Sequence, residues 1–369
     1  MQAQFIGSRI YRGSSYGRVH PLAIPRVPVV TDIVRAMGWL PREVVHASPR
    51  ARPAALAAFH DPGYVDAVIR AEQTQEVDAD TRARTGLGTL SNPVFPEMYR
   101  RPATACGGSL LAAERLAQAP GRWFNPGGGT HHGLRDRANG FCYFNDPVLA
   151  ILTLRRHGLR VAYVDIDAHH CDGVAAAFAG VEEVLMVSTH EAGRWPFTGA
   201  LDEDLGGNAL NLPLPRGAHD GVMSLALDAV ILPAVERHRA DVVVLQCGID
   251  AVAEDPLSRL AMSNRAHRRV VQALMGGTDR LMVTGGGGYN PWTCGRGWAV
   301  VWATLAGHEI PDRMTPEAMA VQRALDWSRR WRPEAEHLET LLDAPREGPV
   351  SDEVRAGVRV LADRLRAWA

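Results

Sequence analysis

Four apolar runs in this chain each end in a burst of polar residues. Val161–Val164 leads into Asp165-Ile166-Asp167-Ala168-His169-His170-Cys171-Asp172, and Val242–Leu245 leads into Gln246-Cys247-Gly248-Ile249-Asp250. Trp123–Phe124 precedes Gly127-Gly128-Gly129-Thr130-His131-His132, and Leu281–Val283 precedes Gly285-Gly286-Gly287-Gly288-Tyr289. From about residue 100 to 300 such runs alternate with segments of helical period, which predicts βα units around a parallel sheet. Asp146 reads as a helix N-cap with Pro147 at the first helical position; Leu149, Ile151, Leu152 and Leu154 supply apolar positions and His157-Gly158 the stop. Val222 to Arg239 reads as one long helix feeding a strand over Asp241–Leu245. No repeat, low-complexity tract or linker divides residues 1–310. Beyond them, Pro316 to Trp331 and Ser351 to Trp368 predict amphipathic helices, so residues 311–369 are expected to pack on the same domain.

In a parallel α/β sheet, functional groups collect outside the carboxyl ends of the strands. The four polar bursts would therefore share one crevice. Asp167, His169 and Asp250 together make a set of two carboxylates and one imidazole, electrically neutral around zinc and leaving a coordination position open. Asp-x-His alone is equally well a polar loop; Asp250 and the His131-His132 pair at other strand ends tip the reading to a metal site. Two adjacent histidines need partners if buried, and Asp165 and Asp172 are the obvious ones, since a carboxylate fixes an imidazole tautomer. His46, His60, His157, His219, His238, His308 and His337 stand alone and read as structural or solvated. Gly285–Gly288 lacks the G-x-G-x-x-G spacing of a dinucleotide loop; it reads as a close backbone approach that turns Tyr289 inward. The chain carries neither a P-loop nor a G-x-S-x-G elbow.

Composition narrows the setting. The 369 residues are 46% apolar and carry a net charge of −1, which favours neither nucleic acid nor an anionic membrane. All forty basic residues are arginine; there is no lysine. Cys106, Cys142, Cys171, Cys247 and Cys294 are odd in number and include no C-x-x-C pair, so reduced thiols are expected. Met1 to Arg26, punctuated by Arg9, Arg12 and Arg18, lacks the apolar core of a signal peptide, and no apolar run suits a membrane span. A cytoplasmic protein is expected.

Taken in order, His131-His132, Gly140-Phe141-Cys142-Tyr143-Phe144-Asn145-Asp146, the Asp165–His170 stretch, Gln246–Asp250 and Gly285–Tyr289 closely resemble the zinc-dependent histone deacetylase family. Tyr16-Gly17-Arg18-Val19-His20-Pro21, Arg26 and Asn92-Pro93-Val94-Phe95 fit as well, and in size and style the chain looks most like the bacterial acetoin-utilisation deacetylases. The resemblance implies a single-domain, three-layer arginase/deacetylase-like α/β fold with a mainly parallel central sheet. It implies that Asp167, His169 and Asp250 hold a catalytic Zn2+, with Fe2+ as the alternative. His132 with Asp172 would act as general base and then acid, and His131 with Asp165 would support it electrostatically. Tyr289 would hydrogen-bond the oxyanion, and the Gly140 carbonyl would receive the substrate amide N–H. Phe141 and Trp195 would wall the acyl-lysine channel, Leu257 would stand at its mouth, and Arg26 would line the route by which acetate leaves. Asp165, Asp167, His169, Ser188 and Thr189 match the family's K+ ligands. The implied partner is an acetylated protein, such as a metabolic acyl-CoA synthetase.

The chain departs from the family at Ser91, where many relatives carry a rim aspartate, at Trp195 in place of a channel phenylalanine, and at Cys171 in place of glycine. Ureohydrolases look similar in fold and share Asp167-Ala168-His169, but Cys171 and Gly248 stand where ligands for a second metal would be needed. Acetylpolyamine hydrolysis and a non-catalytic acyl-lysine reader are the remaining alternatives; the intact ligand set, histidine pair and Tyr289 argue against the reader.

Overall fold

Residues alternate between two cores along each central strand. In β4 (Val161–Asp165), Ala162 and Val164 join one apolar cluster while Val161 and Tyr163 join another. β7 (Val242–Gln246) and β8 (Arg280–Thr284) divide the same way, Val243, Leu245, Leu281 and Val283 against Val242, Val244 and Met282. Strands apolar on both faces need helices on both faces, and they have them. Arg100–Gln118 and Asp146–Arg156 pack together on one side, Arg26–Ala36, Asn264–Gly277 and Pro291–Ala306 on the other. The result is a three-layer α/β domain. The computed structural model describes residues 1–17, 19–327 and 331–368; Arg18 and residues 328–330, within the helix expected over Pro316–Trp331, lie outside the described residues.

The remaining strands are β1 (Ala3–Gly7), β2 (Val45–Ala47), β3 (Gly121–Asn125), β5 (Val184–Glu191) and β6 (Ala209–Leu214). All eight are parallel to their neighbours, in the order β2-β1-β3-β8-β7-β4-β5-β6. The carboxyl ends of β3, β8, β7, β4 and β5 are thus consecutive. Every one of the four polar bursts emerges there.

Three local expectations change. The cap of the helix Asp146–Arg156 is Asn145, whose side chain accepts from the Val148 N–H. Asp146 is instead buried and accepts from Ser109 Oγ and the backbone N–H groups of Gly129 and Thr130, so it anchors the loop before the histidine pair. The helix expected over Val222–Arg239 begins at Asp220 and contains a π turn at Leu227–Ile231. Pro233 explains it: proline has no N–H to give and crowds the carbonyl four residues back. The helix expected to reach Trp331 stops at Arg323, where the Gln322 carbonyl accepts from the Trp292 indole as well as from the Leu325 N–H.

The last elements share the main core. Met314, Ala318, Leu341, Val354, Leu361 and Leu365 belong to the same cluster as β4 and β7. Asn264 and Asp343 exchange two hydrogen bonds, and buried Arg296 pairs with Asp343 at 2.8 Å.

Candidate active site

β4 and β7 deliver the metal-binding candidates. Among the described residues, Asp167, His169 and Asp250 form the one acidic/histidine group that could hold an ion, with ligand atoms within 4.8 Å of one another and all three buried. His169 Nδ1 lies 3.1 Å from Asp167 Oδ1 and 3.0 Å from Asp250 Oδ2. Ligands at roughly 2.0–2.2 Å around a single tetrahedral ion sit at about this mutual spacing. The other oxygens are occupied: Asp167 Oδ2 accepts from the Gly287 N–H and Gln246 Nε2, and Asp250 Oδ1 from the Ala168 N–H. Burial disfavours charge on all three groups. Against it, Asp167 and Asp250 drive the His169 pKa up to about 10, while burial and the Asp167 charge lift Asp250 to about 6. Such a cluster is complete only with positive charge among the oxygens, and a divalent cation fits it. A β-carbon on Gly248 would stand 2.1 Å from Asp167 Oδ2, and one on Gly287 would stand 2.0 Å from Asp250 Oδ2. The cradle therefore requires glycine at both positions. A bridging carboxylate at 248 has no room.

His131 and His132 follow the Gly127–Gly129 turn beyond β3. Each uses Nδ1 to hold a carboxylate, His131 with Asp165 at 2.7 Å and His132 with Asp172 at 2.6 Å. Their Nε2 atoms lie 2.9 Å apart, and that of His131 is 3.9 Å from Asp167 Oδ1. Similar rings are pushed in opposite directions. For His131, burial opposes charge but Asp165 and Asp167 outweigh it, carrying the pKa up to about 9. For His132, burial and the neighbouring His131 charge outweigh Asp172, and the pKa falls to about 4. Two titratable groups driven apart by their surroundings is the pattern of an acid/base pair.

Several supports carry no mark in the local sequence pattern. Asn139 Nδ2 donates to Asp172 Oδ2 at 2.9 Å, and the Tyr163 hydroxyl donates to Asp165. Asp255 accepts from the Tyr289 N–H at 2.7 Å. Tyr289 itself is nearly buried, its ring 5.8 Å from Phe141 and 6.5 Å from His169.

A pocket of about 700 Å³ opens above these groups, lined among others by His132, Gly140, Phe141, His169, Trp195, Leu257 and Tyr289. Gly140 has φ of +50°, and a β-carbon there would meet the Trp195 ring at 2.3 Å and His132 at 2.7 Å. Phe141 holds φ of +69°, a region costly for a residue with a side chain and typical of functional sites. Trp195 stands 4.6 Å from the His132 ring, so it narrows the channel directly above the base candidate. Ser91 lines the rim, where its carbonyl meets His20 Nε2 at 3.1 Å.

On the inner side a small cavity of about 40 Å³ is lined by residues including Arg26, Tyr11, Arg101, His131 and Tyr289. Arg26 donates to the Gly286 carbonyl and lies 5.4 Å over Trp298, leaving its buried Nε without a partner. Ser188 and Thr189 sit on β5, Ser188 in register with Asp165; Thr189 Oγ1 is buried without a partner. All five cysteines are buried and free.

A buried carboxylate–imidazole metal cradle, a carboxylate-held histidine pair and an apolar channel at the carboxyl edge of a parallel sheet define a metal-dependent amide hydrolase. A profile of the histone deacetylase domain matches residues 20–305, and the chain belongs to that family. It is 35% identical to histone deacetylase 9 of Arabidopsis thaliana over 82% of this chain and 73% of that protein. To the acetoin utilization protein AcuC of Bacillus subtilis it is 31% identical, over 83% of this chain and 84% of that one. Other plant and animal histone deacetylases are longer, the match spanning 58–60% of several of them. The crystal structure of a homologue from Aquifex aeolicus superposes with a TM-score of 0.92 at 32% identity, covering 98% of this chain and all of that one. No helix among the described residues is long and apolar enough to cross a membrane.

Proposed function

We propose that the protein hydrolyses acetyl-lysine amides in proteins, releasing acetate and restoring the lysine amine. The observation carrying this reading is the meeting of the His131–His132 pair, the Asp167–His169–Asp250 cradle and Tyr289 at the floor of one apolar channel. Asp167, His169 and Asp250 would hold Zn2+, or Fe2+ in its place, supplying Lewis acidity toward the amide carbonyl and an acidified water. Phe141, Trp195 and Leu257 hold the apolar stem of a lysine whose charge acetylation has removed. The Gly140 carbonyl is offered to the amide N–H. His132 Nε2 receives a proton from the attacking water, with Asp172 holding the ring through Nδ1. His131, held through Nδ1 by Asp165, would support it electrostatically. The Tyr289 hydroxyl donates to the oxyanion as it forms, and His132 returns its proton to the departing amine. Asp165, Asp167, His169, Ser188 and Thr189 would hold a structural K+, with Ser188 in register with Asp165 at adjoining strand ends. Arg26, in the inner cavity, offers a guanidinium to departing acetate.

The rim favours a protein over an acetylated polyamine. Glu191, the acidic residue lining the pocket, is already bound by Arg194, Ser258 and the Arg259 N–H, and Glu254 is engaged by Arg346. Neither is free to hold a distal ammonium. Exposed apolar residues stand around the mouth: Phe197 at 74% exposure, with Val19 and Leu90 at 97% beside the rim residue Thr89, in a neighbouring groove that also holds Glu76 and Asp78. Acetylated metabolic enzymes are substrates of suitable kind, and a cytoplasmic setting suits the reduced thiols. The test is kcat/KM on acetyl-lysine peptides and acetylated folded proteins beside acetylputrescine and acetylspermidine. A tenfold preference for the polyamines would overturn the protein reading and leave amide hydrolysis standing.

A further inference from the structure

His60 lies outside the channel, 1% exposed, in the turn between the helices Pro53–Leu56 and Pro62–Thr74. Both ring nitrogens are used, and in opposite senses. Nδ1 donates to the Leu134 carbonyl at 3.0 Å, with Arg135 O at 3.3 Å, while Nε2 accepts from the Asn145 N–H at 2.9 Å. Only the neutral imidazole protonated on Nδ1 can do both. Asn145 continues the chain of contacts. Its Nδ2 donates to the carbonyls of His131 at 3.1 Å and Gly133 at 2.9 Å, and its Oδ1 caps the following helix. The space around those carbonyls is closed from the other side, for a β-carbon on Gly173 would meet His131 O at 2.5 Å and Gly133 O at 2.7 Å. Asp61 adds a bond from its N–H to Arg135 O at 2.8 Å. The backbone of residues 131–135 is therefore clamped at four carbonyls, those of His131, Gly133, Leu134 and Arg135, by groups that do not line the channel.

We propose that His60 is a positioning residue for the His131–His132 pair, acting through Asn145 and the Leu134–Arg135 carbonyls; this rests on the deacetylase reading above. A base must sit within a fraction of an ångström of its working place, and small misplacement costs rate rather than binding. Burial lowers the His60 pKa to about 4, so the neutral form the clamp requires is the one present near neutrality. The rings of Phe59, Phe144 and Tyr64 surround the imidazole at 4.7, 5.2 and 5.8 Å.

The experiment compares His60→Ala, His60→Gln and Asn145→Asp in metal-loaded protein, with kcat expressed per bound metal. His60→Ala should lower kcat about 10- to 100-fold with KM within about threefold. His60→Gln, which keeps one donor and one acceptor, should recover most of the loss. Asn145→Asp keeps the cap oxygen but removes both N–H donors, and should reproduce the kcat-selective defect even where His60→Ala folds poorly. Side-chain ¹⁵N resonances of His131 and His132 should move in His60→Ala without any need for turnover. An unchanged kcat per metal, or a loss that His60→Gln fails to relieve and that merely follows thermal stability, overturns the proposal. Wild-type protein inactive on every acetyl amide, with the resonances still dependent on His60, would sink the deacetylase reading and leave the positioning role in place.

Discussion

Removing one oxygen from Tyr289 is the sharpest single-residue test of the chemistry. Phenylalanine keeps the ring packed against Phe141 and touches no metal-binding candidate, so metal content and fold should survive Tyr289→Phe. The hydroxyl matters most when charge develops on the carbonyl oxygen, so steady-state kinetics should give a kcat lower by about 10²–10³ and a KM little changed. A kcat within error of wild type would remove Tyr289 from the mechanism. Gly248→Ala makes the complementary prediction for the cradle. Its β-carbon would displace the Asp167 carboxylate, so elemental analysis should find the metal lost while far-UV circular dichroism stays close to wild type. At this scale the ligands and the histidine pair were readable because each follows an apolar run and so sits at a strand end. Asn139, Tyr163, Asp255 and His60 were not. Their partners are 33, 2, 34 and 85 residues away, and nothing in the local pattern distinguishes them from ordinary polar or aromatic positions.

Among elements, legibility followed the length of the apolar pattern. β4, β7 and β8 stand out as continuous apolar runs with polar ends, whereas β2 is three residues long and β1 reads Ala-Gln-Phe-Ile-Gly, too short for either period to assert itself. Asp146 misled because Asp before Pro is a good start for a helix, and only the tertiary fold reveals that Asn145 caps while Asp146 turns back to the glycine loop. The turn holding His60 gives a prediction of its own. Its imidazole is neutral in the fold, with a pKa near 4 against about 6.5 when unfolded, so the unfolded chain takes up a proton first as the pH falls. The stability this group contributes is complete above about pH 6.5 and is lost on descent toward pH 4, on the order of 3 kcal/mol. Urea unfolding at pH 7 and pH 4.5 should show the loss, and His60→Gln should flatten it. Equal acid sensitivity in the two proteins would place the proton elsewhere.

For the whole molecule the first expectation is stoichiometric: one tightly bound divalent ion per chain, absent in Asp250→Ala. Two ions would point to ureohydrolase chemistry in spite of Gly248. The strand order carries a further consequence. β8 lies between β3 and β7, so residues 280–284, among the last strand residues to leave a ribosome, join β2-β1-β3 to β7-β4-β5-β6. Until β8 inserts, the nascent chain can hold two half-sheets but no continuous one. All three metal-binding candidates have emerged by residue 250, yet the Gly287 N–H that orients Asp167 and the glycine turn that closes the cradle have not. A chain ending at residue 279 should therefore fail to retain the ion although it contains every ligand. On this strand order, metal capture is expected to wait until β8 has joined the two half-sheets.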